Sequence, residues 1–477
     1  MRLLSNRYSR ILAVGGWLAV VVLAARSSAK APGTTPEHLL GIVVIGYLAS
    51  WGGIFLVSGS DPRQRGFRFL ATTLSIVGVV FLFELPAVLG LVDYRILFST
   101  PTPPWQRPGY EPDSSLLYVR KGSQRIELTF GGAETCRLVG DATRRTYRCT
   151  LQLDAAGFRN LTSSPQADLI VLGDSFIEGL QVSDAELLTS QIARLSGWTV
   201  VNLGRTGYGP QQELEVLRRH GIGLRPNWCI WAFYEGNDLQ DLSAYEGHRR
   251  NVERLSRQRW NDQLYVRSFA RNCLGFLIRT AIRPEPRLPA RLYSGRMLDR
   301  SGRERQLHFA TGVQHGTGSP TLPREDSTEL KLYRSILQEA HQECARNGIR
   351  LMVVLIPSKF RVYRDVCAFD AESPCPGWPV DDLPAALRSL VGGCSAEIEY
   401  LDLTPDFQRE AAQGAVLYLE DDTHWSPEGH ALAAARIWNA LANRPANPGL
   451  LTSGAAATFP PPRGRHAAQP IANPVFP

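Results

Sequence analysis

From Asp168 to about residue 440, short apolar runs alternate with amphipathic stretches, and no other feature restricts the fold so strongly. Runs at 169–172, 199–203, 228–233, 350–356 and 398–403 have strand length and are mostly apolar, the pattern of parallel strands buried on both faces. Helical signals fall between them. Ser183-Asp184-Ala185-Glu186 spells a capping box. Leu330, Tyr333, Ile336, Leu337, Ala340 and Cys344 form one apolar stripe that closes at Asn347-Gly348. Ser426-Pro427-Glu428 opens a last helix with proline at its first position. Strands alternating with helices predict an α/β fold with a parallel sheet covered on both faces, and ligands then bind at the carboxyl ends of the strands.

The first of these strands runs into Gly173-Asp174-Ser175. A serine in that turn stands beside a helix N-terminus, where N–H groups and the helix dipole favour negative charge, and acyl transfer needs that environment for its oxyanion. The tripeptide alone reads equally well as a strand followed by an N-cap serine. Three further stretches fall at the same end of the predicted sheet. Asn202-Leu203-Gly204-Arg205-Thr206-Gly207 follows the second strand, and Gly207 there lets the backbone approach a substrate and offer an N–H. Tyr234-Glu235-Gly236-Asn237-Asp238 follows the third, and Asn237 can supply an amide donor. Glu420-Asp421-Asp422-Thr423-His424-Trp425 lies near the C-terminus, where His424 can take the proton of Ser175 and Asp421 or Asp422 can orient its ring. A lone histidine before a helix, or a lone Asn-Asp turn, is ordinarily structural. Four such elements, each at a strand end or helix start, support the catalytic reading.

The first 93 residues belong to a different regime. Residues 11–25 are apolar between Arg10 and Arg26, which suits a short span or a signal-peptide core, and Ala29-Lys30-Ala31 fits a cleavage site followed by Pro32. Residues 39–57 and 69–92 are two more runs of spanning length, the last carrying Glu84 and Pro86. The loop 61–68 between them holds three arginines and is expected on the cytoplasmic side. Three transmembrane helices therefore place everything after residue 92 outside the cytoplasm, in or on the bacterial inner membrane. Glu84 is expected near the outer interface, where an ionisable group costs little.

Residues 94–165 are read as a proline-rich linker followed by a small β-rich segment, with period-two alternation at 124–130 and 147–153. The soluble α/β domain covers 166–445, interrupted by an insertion at 239–328, and 446–477 read as a disordered tail rich in Pro, Ala and Gly. The chain carries a net charge of +7, yet residues 239–320 alone hold fifteen arginines, no lysine and seven acidic residues. This local basicity suits anionic lipid headgroups or an acidic polymer, and equally a solvated surface. No interleaving of aromatic and basic residues argues for nucleic acid. There are eight cysteines. Cys136 with Cys149, and Cys367 with Cys375, are spaced to close small loops as disulfides, with Cys394 a rival for the second pair. Cys229 and Cys344 are expected as buried thiols. No Cys-x-x-Cys or His-Glu-x-x-His occurs, and no metal or cofactor is predicted.

Residues 154–442, apart from the insertion, resemble the SGNH or GDSL hydrolase superfamily, whose four signature residues match Ser175, Gly207, Asn237 and His424. The resemblance implies a flavodoxin-like three-layer α/β/α domain. It implies Ser175 as nucleophile and His424 as general base and then acid, with an oxyanion hole from the N–H groups of Ser175 and Gly207 and the side chain of Asn237. Many members place the aspartate three residues before the histidine, at Asp421. Members with Asp-x-His-Trp, as in alginate O-acetylation proteins, place it two before, and Trp425 favours Asp422. The stretch 356–363 is also similar to a segment of those proteins; its Lys359 and Arg361 read as contacts to an acidic glycan or as surface charge. The function expected is a membrane-anchored serine esterase cleaving a small acyl ester on a glycan or lipid. One alternative is an O-acetyltransferase for an envelope polysaccharide or lipid, supplied by a membrane-bound acyl-donor partner. Another is a non-catalytic glycan-binding protein.

Overall fold

The computed structural model describes residues 44, 46–48, 50–51, 61–98, 109–130, 147–256, 267–277, 292–310 and 327–442. Five strands form the central sheet: β1 (Leu169–Leu172), β2 (Val200–Asn202), β3 (Trp228–Tyr234), β4 (Arg350–Ile356) and β5 (Glu399–Asp402). Their spatial order is β2-β1-β3-β4-β5 and every pairing is parallel. This is flavodoxin-like winding, in which the strand order reverses between β1 and β3 and opens a crevice at their carboxyl ends. Alternate residues of β3 serve opposite layers. Cys229, Trp231 and Phe233 pack with Tyr333, Leu337 and Leu387 on one side, and Ile230, Ala232 and Tyr234 pack with Ile192, Phe407 and Ile437 on the other. A fully buried side chain of this kind contributes about 1.5–3 kcal/mol, so a strand apolar on both faces is held in the middle of three layers.

The flanking helices follow the sequence signals closely. Helix Thr328–Arg346 buries the six residues of its predicted stripe and stops at Asn347, with Gly348 at φ +69°. Helix Pro427–Ala442 starts behind Ser426, whose Oγ accepts from Gly429 N at 3.2 Å. One start differs. Glu186 Oε2 accepts from Ser183 N and Oγ at 3.0 and 2.7 Å, yet this closes a turn, and the helix itself runs Leu188–Ser196.

Residues 239–328 are not one insertion. Helix Asp238–Ser256 leaves the end of β3 with Leu242 in the core, and so begins the crossover that a parallel β3-to-β4 connection requires. The added material that is described comprises helix Phe269–Leu277 and a hairpin of Leu292–Leu298 with Glu304–Ala310, which Ala368–Phe369 extends to three strands. Upstream, Tyr110–Asp113 pairs with Leu117–Arg120 and Arg125–Phe130 with Tyr147–Gln152, all antiparallel.

Among the described residues one helix, Pro62–Val88, is long and apolar enough to cross a membrane. It begins inside the basic stretch expected as a loop, because Asp61 and Pro62 are helix-start residues. Glu84 is not merely an interfacial acid. Its carboxylate accepts from Ser268 Oγ at 3.2 Å, Phe269 N at 2.9 Å and Ala270 N at 2.7 Å, capping helix Phe269–Leu277, while Phe83 stacks on Phe269 at 4.7 Å. The spans expected at 11–25 and, for the most part, 39–57 lie outside the described residues, as do the cleavage site, the linker prolines and the tail. The expected disulfides are not formed: Cys149, Cys367, Cys375 and Cys394 carry free thiols, and Cys136 lies outside the described residues. The thiol of Cys149 instead donates to Val182 O at 2.9 Å. Cys229 and Cys344 are buried thiols.

Candidate active site

Strand β1 ends at Gly173, where a Cβ would stand 2.5 Å from Ile177 Cγ1. Only glycine lets the strand turn this tightly into the short helix Ser175–Glu178. Asp174 caps that helix, its Oδ1 accepting from Phe176 N at 2.9 Å. Ser175 thus stands at the carboxyl end of β1, beside the crevice between β1 and β3.

The loop before helix Pro427–Ala442 brings His424 to it. His424 Nε2 lies 2.7 Å from Ser175 Oγ, and Nδ1 lies 2.6 Å from Asp422 Oδ1. The same Oδ1 accepts from the backbone N of His424 at 2.9 Å. With Nδ1–H donating to Asp422 Oδ1, Nε2 is left to accept the serine proton. Burial alone would pull the His424 imidazolium down; the charge and hydrogen bond of Asp422, then the charge of Asp174, outweigh it and hold the ring above the ordinary histidine value. Burial pushes Asp422 up, but His424, and after it Lys359, leave its carboxyl below the usual carboxylate range. Asp421 is the neighbour of this contact in the loop. The Phe176 ring flanks the imidazole at 5.0 Å and Trp425 packs edge-on against Phe176 at 5.1 Å. The Gln181 amide is 3.0 Å from Nδ1. The contacting atom is Gln181 Nε2, and the single Nδ1 hydrogen is already given to Asp422.

Gly207 lies on the loop after β2 at φ +77°, and a Cβ there would stand 2.7 Å from Tyr118 Oη. That loop is braced on both sides. Tyr118 Oη donates to Thr206 O at 2.6 Å, and Thr206 N donates to Glu178 Oε2 at 2.8 Å. Glu178 is fully buried and takes Arg205 Nη1 at 2.7 Å and Arg120 Nη2 at 3.4 Å. Burial pushes its carboxyl up, and Arg205 and Arg120 more than reverse this. Asn237 follows β3. Its Nδ2 donates to Asp241 Oδ2 at 2.8 Å, and its side chain also hydrogen-bonds Asp174. Burial, with the Asp174 charge adding to it, pushes Asp241 up to about 7. Direct hydrogen bonds therefore join Ser175, His424 and Asp422. Asn237 joins the set through Asp174, and Gly207 stands on the loop that Glu178 holds.

Two expected roles are corrected. Lys359 and Arg361 present no charge to a glycan, because both are buried in helix Lys359–Tyr363. Arg361 is paired with Glu235 and Asp381 at 2.6 Å each. Lys359 Nζ donates to the carbonyls of Leu419, Glu420 and Asp422, and burial pulls its ammonium down to about 7 against the upward pull of Asp422 and Asp421. Glu178, Gln181, Arg205 and Asp241 are site-supporting residues that sequence reasoning missed. Glu178 alone left a signal, an acid one helical turn after Ser175 in an otherwise apolar run. Among the described residues no group of three or more His, Cys, Asp or Glu is set to hold a metal.

Residues 318–464 match the family described as SGNH hydrolase-like domain, acetyltransferase AlgX. Over that stretch the chain is similar to an SGNH hydrolase-like domain. The match spans Lys359, Asp422 and His424. Ser175, Gly207 and Asn237 lie outside the matched stretch, after β1, β2 and β3 of the same sheet. The domain's chemistry is that of an ester-acting hydrolase or O-acyltransferase. No curated protein matches the chain. Solved structures similar to it include a GDSL-like lipase from Bacteroides thetaiotaomicron, at 12% identity over 57% of this chain and 87% of that one with a TM-score of 0.27. An acetyl xylan esterase, AlAXEase, aligns at 11% identity over 57% of this chain and 99% of that one with a TM-score of 0.30.

Proposed function

We propose that the chain is a membrane-anchored serine esterase whose SGNH domain works outside the cytoplasm through Ser175, His424 and Asp422. The observation that carries this reading is the unbroken hydrogen-bond relay from Ser175 Oγ through both nitrogens of His424 to Asp422 Oδ1, at 2.7 and 2.6 Å. Ser175 Oγ attacks the ester carbonyl while Nε2 takes its proton. The oxyanion is met by the N–H groups of Ser175 and Gly207 and by Asn237 Nδ2, which turns one of its hydrogens from Asp174 or Asp241 to the substrate. His424 returns its proton to the departing alkoxide and leaves an acyl-enzyme. Water, deprotonated by the same ring, completes hydrolysis. A sugar hydroxyl in its place makes the enzyme an O-acetyltransferase, and the match to a family named for the acetyltransferase AlgX favours that second reading. Placement outside the cytoplasm rests on Arg63, Arg65 and Arg68 at the start of helix Pro62–Val88, with the α/β domain following its other end.

The test is turnover of an aryl acetate by the full chain in detergent against its Ser175→Ala variant. Loss of turnover in the variant, with covalent labelling of wild type alone by a serine-directed phosphonate, supports the acyl-enzyme. Acyl transfer to an added glycan then separates transferase from hydrolase. A wild type that neither turns over ester nor takes the phosphonate would leave a binding protein.

A further inference from the structure

We infer that Lys359 is a positioning residue of this site: its ammonium ties the main chain of the 419–422 loop in place and thereby fixes where Asp422 meets His424. The inference rests on the triad reading above. Protonated, Nζ carries three hydrogens and has three acceptors, all carbonyls of one loop: Leu419 O at 2.7 Å, Glu420 O at 2.8 Å and Asp422 O at 3.2 Å. A solvated surface lysine makes no such use of its donors. This one is 2% exposed and lies against the Phe309 ring, 5.6 Å from its centroid. A buried ammonium is costly unless its hydrogens are satisfied, and here the satisfaction comes from the catalytic loop alone.

The loop needs an external tie. Between the bridge of Tyr418 with Trp425, its backbone-to-backbone bonds are Leu419 N donating to His424 O at 3.0 Å and a long contact of Asp422 N with Leu419 O at 3.5 Å, beside the bonds that Asp422 Oδ1 accepts from His424. Its main chain is held from outside by His308 and Lys359, and Arg305 Nη1 pairs with the Glu420 side chain at 3.2 Å. His308 N, from the hairpin, donates to Glu420 O at 2.8 Å. Lys359 holds the same carbonyl and one on each side of it, including that of Asp422. Lys359 is itself fixed by its place: it opens the short helix directly after β4 and Pro357-Ser358, where Ser358 Oγ accepts from Arg361 N at 3.2 Å and Tyr418 Oη donates to Pro357 O. The end of a core strand is thus stitched to the residues that present the carboxylate. A displacement of about 1 Å in a catalytic group can cost about 10²-fold in rate, so a tie on the Asp422 carbonyl acts on turnover without touching substrate.

The test compares Lys359→Met and Lys359→Arg with wild type and Ser175→Ala, as full chains in detergent, on an aryl acetate. Active sites are counted by the end-point of phosphonate labelling. Lys359→Met keeps the apolar stem and loses every donor; kcat per labelled site is expected to fall about 10²-fold with KM within about threefold. Lys359→Arg keeps charge and donors and is expected within about tenfold of wild type at unchanged KM. If Lys359→Met does not fold, Lys359→Gln takes its place, with kcat about tenfold down at unchanged KM. Wild-type kcat per labelled site in the Met or Gln variant, or a loss that appears in KM, overturns the inference. Turnover surviving in Ser175→Ala overturns instead the triad reading beneath it.

Discussion

Replacing Asp422 by Asn separates charge from geometry at this site, because one oxygen, Oδ1, accepts from both Nδ1 and the backbone N of His424. An asparagine that keeps its oxygen at that position keeps both bonds, and so keeps the His424 tautomer in which Nε2 faces Ser175. The roughly 10⁴-fold loss seen when an amide inverts the tautomer in a serine-protease triad is therefore not expected. What is lost is the negative charge opposite the imidazolium that forms at the transition state. Contacting atoms at 2.6 Å put the charge centres at about 4 Å, worth about 4 kcal/mol at an effective dielectric near 20. The Asp422 side chain is 34% exposed, so solvent screens part of this, and about 3–4 kcal/mol is a reasonable share. At about 1.4 kcal/mol per decade, Asp422→Asn should lower kcat/KM on an aryl acetate by about 10²- to 10³-fold. Asp422→Ala also removes the acceptor for the backbone N–H and should lower it further, while Asp421→Asn should stay within about threefold of wild type. Equal losses in Asp421→Asn and Asp422→Asn, or less than a tenfold loss in the latter, would refute the assignment of Asp422 as the orienting carboxylate.

Three further outcomes are expected. His424 must be neutral to take the serine proton and its pKa is held above the usual value by Asp422 and Asp174, so kcat/KM should fall as pH drops through a point above about 6.5, and Asp422→Asn should move that point to lower pH. Burial, with Arg159 and His424 adding to it, pulls His430 down to about 3; between about pH 6.5 and pH 3 the unfolded chain binds a proton there that the folded chain refuses, so stability falls with falling pH, and His430→Leu should flatten the fall of Tm in that window. Glu84→Ala removes three hydrogen bonds from the start of helix Phe269–Leu277, and tryptic cleavage at Arg267 and Arg271 should become faster while aryl-acetate turnover per labelled site is unchanged.

What the sequence displayed of this molecule was what local chemistry dictates. A strand apolar on both faces must be central, a stripe at helical spacing must face inward, and a serine after Gly-Asp at a strand end must stand at the mouth of the sheet. These requirements gave β1, β3, β4 and the face of helix Thr328–Arg346, and they put Ser175 and His424 on one rim. The charged residues were misread because a charge is assigned to water or to the interior by its partner, and the partners here are remote in the chain. Glu84 finds its donors about 185 residues away, Lys359 finds carbonyls about 60 residues away, and Arg361 finds Glu235 126 residues back. Nothing in a window of ten residues carries that information. One local sign was nonetheless present. In Ile356-Pro357-Ser358-Lys359-Phe360-Arg361-Val362-Tyr363 the two charges alternate with Phe360 and Val362 and are followed by Tyr363. A helix too short to have a polar face, hung on the end of a central strand, has no route to carry Lys359 and Arg361 back to water, and all five of its residues are buried. In such a segment a cation is better read as a tie than as a surface charge, and its acceptors are to be sought at the same end of the sheet, where the loop bearing Asp422 and His424 also arrives.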